Sequence, residues 1–288
     1  MGQTKRASTY LDKGGVGKST ATAHLGAALQ DDGHDVLLVD LAGKQDDLGS
    51  IYGIHEAVRE DIENDNDYPN VTTTMEENWT DIVDLVGGPE AALDELVYET
   101  DEGVDIIPAH PTLDALDGNL GQVDDPEERY GRLRKFFDDT VDETDRYDII
   151  LLDLPGLSNN VSYNGLWATQ DVISPVLLGS LEIKQARALQ RDATEIRREY
   201  DVDVQLQMLI ANMFDRRTNL DETMLEELQE EFGDLVAPGV VPQSQAIKNT
   251  TARGCTLFDV DEDELSKTGL EAREAFRENA AELLTRLR

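Results

Sequence analysis

The sequence predicts an α/β fold, a mainly parallel twisted sheet with helices on both faces. Three observations carry that expectation. Short apolar runs alternate with longer helical patterns along the chain, the order that parallel strands joined by crossover helices require. Residues 149–152 are four consecutive apolar residues, as expected of a central strand buried on both faces. The first apolar run passes through a glycine-rich turn straight into the helical segment ATAHLGAALQ. At 288 residues the chain is read as one domain spanning 1–288, with no internal repeat and no Pro/Ser linker.

In chain order, strands are expected at 7–11, 35–39, 104–108, 148–152, 172–178 and 204–211. Helices are expected at 18–30, 126–139, 181–200, 220–231 and 270–287. The stretch 52–78 is polar, acidic and weakly patterned, so it reads as loop with short helices. Residues 79–98 read as two short helices broken at Gly87-Gly88-Pro89.

Composition excludes several classes. Hydrophobic residues make up 39%, enough for a core, which argues against general disorder. No run approaches the roughly 18 apolar residues of a membrane helix, and MGQTKRASTYL lacks the apolar stretch of a signal peptide, which places the chain in the cytoplasm. The single cysteine, Cys255, excludes an internal disulfide and a multi-cysteine metal or iron–sulfur site; His24, His34, His55 and His110 show no metal spacing. Acid dominates: 61 Asp and Glu stand against 25 Lys and Arg, for a formal net charge of -36. Only 8 of the basic residues are lysine. This balance resembles that of proteins from a salt-in halophile such as a haloarchaeon. Molar salt shrinks the Debye length to roughly 3 Å and removes much of the self-repulsion.

The chemistry concentrates in Lys13-Gly14-Gly15-Val16-Gly17-Lys18-Ser19-Thr20, between the first strand and the first helix. Glycines let backbone N–H groups converge on phosphate oxygens, and the helix N-terminus adds partial positive charge at the same point. Lys18 is expected to bridge the β- and γ-phosphates and the Ser19 hydroxyl to ligate Mg²⁺. The strict pattern G-x-x-x-x-G-K-[ST] fails, because Asp12 occupies the first glycine position. Asp40 and Asp153 each follow an apolar strand, which puts them at the carboxyl edge where open α/β sheets bind ligands. A helix cap or solvated turn would explain either aspartate alone; convergence of both with the loop favours a site.

KGGVGKST, with its additional leading lysine, resembles the deviant Walker A loop of the ParA/Soj/MinD superfamily of P-loop ATPases. VLLVDLAGKQDDLGSIYG is similar to that family's second motif, RYDIILLDLPGLSNN to its Walker B and second switch, and DVISPVLLGSLEIKQARAL to its next strand–helix step. ANMFDRRTNLDETMLEELQEEFG and VVPQSQAIKNTTARGCTLFD resemble the ParA C-terminal half, so the match runs from about residue 7 to 259. The resemblance implies ATP and Mg²⁺ as cofactors. It implies nucleotide contacts from residues 14–20 and Gly156, with Asn212 and Pro242 near adenine, where a polar strand-end residue is the plain alternative. Asp40 and Asp153 stand beside Mg²⁺, and Lys13 reaches across an ATP-dependent homodimer to the partner's nucleotide. It further implies non-specific DNA binding in the nucleoid and a stimulating ParB-like or other adaptor protein. The implied task is to segregate or position a chromosome, plasmid or other cargo.

Departures qualify this picture. The family's second motif reads D-x-D, and its second aspartate positions the attacking water; here that position is Ala42. Alanine cannot orient water, so hydrolysis is expected to be slow unless Asp46 or Asp47 folds back into place. DNA contacts are expected from Lys184, Arg187, Arg191 and Arg198, which share one sector of helix 181–200, and from Lys248 and Arg253. A solvated face with ion pairs such as Arg191 with Glu195 explains that sector equally well. Two family arginines are replaced by Gln243 and Ala246. The modest apolar face of the last helix, Phe276, Leu283, Leu284 and Leu287, is expected to pack on the domain, so no membrane partner is expected; a MinD-like membrane anchor is the alternative.

Overall fold

The computed structural model describes residues 4–43 and 47–288. Among them the sheet has seven strands: β1 (Lys5–Thr9), β2 (Val36–Asp40), β3 (Tyr98–Glu99), β4 (Asp105–Ile107), β5 (Ile149–Asp153), β6 (Asp171–Leu177) and β7 (Gln205–Asn212). Their order is β3-β4-β2-β5-β1-β6-β7, parallel throughout except for β3 on β4. All six expected strands form, displaced by one or two residues. The largest shift is in β1: Tyr10 and Leu11 extend its apolar run but are buried in the entry to the glycine loop. β3 escapes sequence reading because two residues carry no period.

Helices cover both faces. Val36 and Leu38 point to one side and Leu37 and Val39 to the other, so each strand feeds two cores. One core is closed by α1 (Lys18–Asp31), α2 (Asp47–Ile51), α12 (Gln245–Thr251) and α13 (Lys267–Arg286). The other is closed by α4 (Trp79–Val86), α5 (Pro89–Asp94), α6 (Leu113–Leu120), α7 (Pro126–Tyr130), α8 (Arg132–Phe136), α9 (Asn160–Thr169), α10 (Ser180–Tyr200) and α11 (Asn219–Phe232).

Stretch 52–78 holds α3 (His55–Glu63) and a short 3₁₀ turn, and α4 and α5 break at Gly87 and Gly88, both with φ +114°. The single helix expected at 126–139 is instead α7, α8 and a π turn. Gly131 separates them. α9, which follows directly on the switch motif, was not expected from periodicity. The last helix does pack inward: Ala272, Phe276, Ala280 and Leu283 are buried against α1's side of the sheet. Its end is tied down where Lys5 Nζ donates to the Leu287 carbonyl at 2.6 Å and Arg288 Nε to Asp171 at 2.8 Å. Among the described residues no helix is long and apolar enough to cross a membrane.

Candidate nucleotide-binding site

β1 delivers the chain to the carboxyl edge of the sheet, where Gly15 (φ +74°) and Gly17 (φ +88°) turn it into α1. A Cβ at either position would strain a left-handed backbone. The first turn of α1 carries no acidic residue and no side-chain cap at Gly17, leaving its N–H groups for an anion. Lys18 is 8% exposed and its Nζ donates to the Lys13 carbonyl at 2.8 Å. Burial lowers its pKa, while Asp153, Asp12 and Asp47 push it back up. Gly156 closes on the same group: a Cβ there would lie 2.8 Å from both Lys18 Nζ and the Lys13 carbonyl oxygen. The result is a cleft of about 520 Å³ lined by Gly14, Gly15, Gly17, Lys18, Ser19 and Thr20 from the loop and Pro155 and Gly156 from the switch. Val16 is wholly buried beneath it.

Asp40 and Asp153 are register partners at the ends of β2 and β5, and both are fully buried. Their surroundings differ. Asp40 holds its own loop, accepting the Ala42 N–H at 2.8 Å and the Leu48 N–H at 3.4 Å. Both carboxylate oxygens of Asp153 lack a hydrogen-bond partner. Burial raises the Asp153 pKa, and nearby Ser19 and Lys18 pull it down again. A buried carboxylate without donors, beside a hydroxyl and a lysine, is the chemistry that a divalent cation completes. No three His, Cys, Asp or Glu side chains converge as metal ligands among the described residues. Of the three residues expected beside Mg²⁺, Ser19 lines the cleft, Asp153 lies next to it, and Asp40 already accepts a backbone N–H at each oxygen. Ala42 lines the cleft and offers only a methyl group. Asp47 also lines it and accepts the Ser19 hydroxyl at 3.3 Å; Asp46 lies outside the described residues.

Two contacts were invisible in the sequence. Lys13 is ion-paired within its own chain to Glu182, in the first turn of α10, and this pairing lowers the Glu182 pKa. Gly179 makes room for it, since a Cβ there would run into Glu182 Oε2. Asp12, at the position of the missing glycine, accepts Ser158 Oγ at 3.3 Å, and Ser158 also bonds Tyr10 Oη at 3.0 Å. The loop and the second switch are thus tied by side chains more than 140 residues apart, which no spacing rule detects.

Other expected residues lie elsewhere. Asn212 donates from Nδ2 to the Val16 carbonyl at 2.8 Å, bracing the glycine loop from beneath. Pro242 is buried and bridges to Phe214; Met213, with φ +56°, and Thr251 line the cleft instead. Lys184, Arg187, Arg191 and Arg198 share the exposed side of α10, opposite buried Ile183, Ala186, Leu189, Ala193 and Ile196. Arg187 is held by Glu231, and Arg253 by Glu264 at 3.3 Å. Lys248 is exposed on α12, which covers the other face of the sheet, so the six cations form two groups rather than one patch. His24 is fully buried in α1, donating from Nδ1 to the Thr20 carbonyl at 2.9 Å and stacking on Phe276; burial pushes its pKa down to about 4.

Comparison with known proteins agrees with this geometry. The model of a family described as AAA domain matches residues 4–208. The chain is 27% identical over 250 residues to the chromosome partitioning protein ParA of Caulobacter vibrioides, covering 86% of this chain and 85% of that one. It is 26% identical over 249 residues to the sporulation initiation inhibitor protein Soj of Bacillus subtilis, covering 86% and 88%. In fold it is similar to Mycobacterium smegmatis cobyrinic acid a,c-diamide synthase with bound ATP analogue and magnesium (TM-score 0.69, 22% identity, covering 98% and 94%). The Pyrococcus horikoshii septum site-determining protein MinD complexed with Mg-ADP superposes with a TM-score of 0.65 at 20% identity, covering 97% and 96%. The chain belongs to this AAA domain family and is a ParA/Soj-type ATPase of the MinD/ParA superfamily.

Proposed function

We propose that this protein is a ParA-like positioning ATPase that binds ATP with Mg²⁺, closes into a homodimer and retains DNA without sequence preference. Hydrolysis, stimulated by a ParB-like or other adaptor, reopens the dimer, and the cargo is a chromosome, plasmid or other body on the nucleoid. The reading treats residues 1–288 as a single ATPase domain. The observation that carries it is the cleft itself: a glycine loop at a helix N-terminus, a buried Lys18, and an Asp153 carboxylate left without donors. The Ser19 hydroxyl and Asp153 would hold the cation, which neutralises charge on the phosphates when bound. The loop N–H groups and Lys18 bind the phosphates. Gly156 keeps the switch backbone close to Lys18. Lys13 must leave Glu182 to act across a dimer.

Ala42 in the cleft wall favours a second reading, an ATP-gated DNA-binding scaffold that barely hydrolyses. The inward packing of Phe276 and Leu283 disfavours a membrane-positioning role for α13. Phosphate release in molar KCl, with and without DNA, separates the first two. Intrinsic turnover should be slow, and Ala42→Asp should raise it at least about tenfold with unchanged ATP affinity, since positioned general-base assistance supplies about 10² to 10⁴ in rate. A fast wild type indifferent to Ala42→Asp would contradict the assignment of the water-positioning gap.

A further inference from the structure

The gap at Ala42 poses the question of what Asp47 does. The loop after β2 carries an aspartate five residues later than the family position, and Asp40 returns the chain for it. Asp40 accepts the N–H of Ala42 at one oxygen and of Leu48 at the other, so the two ends of the loop are pinned to one buried carboxylate. Asp47 directly precedes Leu48, and its Oδ2 stands 3.3 Å from Ser19 Oγ. The contact joins two residues that line the same cleft. Beside them lies Asp153, fully buried, with both oxygens unpartnered. Asp47 therefore sits where a cation would be held.

We infer that Asp47 is a positioning residue for the cation, accepting the Ser19 proton so that the hydroxyl oxygen is free to ligate, and is not a replacement for the water-orienting aspartate. The inference rests on the ATP and Mg²⁺ reading above. A hydroxyl that ligates through its oxygen must send its proton to an acceptor; Asp47 accepts it here, and the buried Asp153 carboxylate is the other acid beside Ser19. The carboxylate also adds negative charge near Lys18 and Asp153, which favours a divalent cation and disfavours bare phosphates. Metal-free nucleotide should therefore bind despite Asp47, and the magnesium complex because of it.

This opposition of signs makes the test. Binding of a fluorescent ADP analogue is followed in molar KCl without divalent cation, then titrated with Mg²⁺, for wild type, Asp47→Asn and Asp47→Ala. Loss of such an acceptor typically costs 10- to 100-fold in metal affinity. Asp47→Ala, which removes the acceptor, should thus need at least about tenfold more Mg²⁺, and Asp47→Asn, which keeps an acceptor oxygen but loses the charge, a smaller excess, while both bind metal-free nucleotide as well as the wild type or better. Loss of metal-free binding as well would mean that Asp47 merely shapes the loop, and would overturn the inference. So would an unchanged Mg²⁺ requirement with turnover lost at saturating Mg²⁺, which would make Asp47 the water-positioning acid after all. A wild type that binds no nucleotide in either condition would instead defeat the ATPase reading itself.

Discussion

The nucleotide edge, singled out by its glycine loop and strand-end acids, and the basic side of α10, singled out by charge, are treated in opposite ways by the structure. At the edge, Lys18 and Asp153 are buried, and the carboxylate has no hydrogen-bond partner. Burying such groups is costly, and the fold recovers that cost only when a ligand supplies the missing contacts. On α10 the cations are exposed, and Arg187 is already held by Glu231. An exposed ion pair contributes little in either direction. Burial without a partner is therefore the stronger signature of a binding site, and exposed charge on a chain of net charge -36 is the weaker one.

Two experiments bear on that contrast. The larger effect is expected at His24, a buried group whose folded pKa of about 4 lies below the ordinary value of 6.5. Because the folded state refuses the proton, the stability this neutral ring supports is fully present above pH 6.5 and is lost as pH falls toward 4. At pH 4.5 the loss should reach about 2 to 3 kcal/mol. Urea unfolding at fixed molar KCl should show a shallower acid-side decline for His24→Gln than for the wild type. Parallel declines would place the acid sensitivity in the carboxylates alone.

The smaller effect is expected on the exposed face. Reversing Lys184 and Arg191 together, two of the three stripe members outside the Glu231 pair, should weaken ATP-dependent DNA retention about tenfold and leave nucleotide affinity unchanged. The residual binding should fall further as salt rises. Unaltered retention would reduce the stripe to a solvated face. Reversal of Lys248, on the opposite side of the sheet, then shows which of the two groups faces DNA.

Much of the nucleotide edge was legible in the sequence because its determinants are local. Glycines at positive φ, a lysine at a helix start and acids ending apolar strands are all read within a few residues. Strand limits slipped where an apolar run outlasts the hydrogen-bonded ladder, as at Tyr10 and Leu11. A helix was overextended where Gly131 interrupts a continuing period. The contacts that tie down the loop were not legible, since Lys13–Glu182 and Asp12–Ser158 join residues far apart in sequence. Asn212 adds a further long-range contact, a polar strand end that donates to the Val16 carbonyl.

The central claim is that the two lysines of the loop do different work, Lys18 within one chain and Lys13 between two. Light scattering in molar KCl with Mg²⁺ and a non-hydrolysable ATP analogue, alongside calorimetric nucleotide binding, tests it directly. The account predicts a nucleotide-dependent dimer for the wild type, no nucleotide binding for Lys18→Ala, and for Lys13→Ala nearly normal binding by a chain that stays monomeric. A Lys13→Ala protein that dimerises fully, or a wild type that stays monomeric with nucleotide bound, would contradict it.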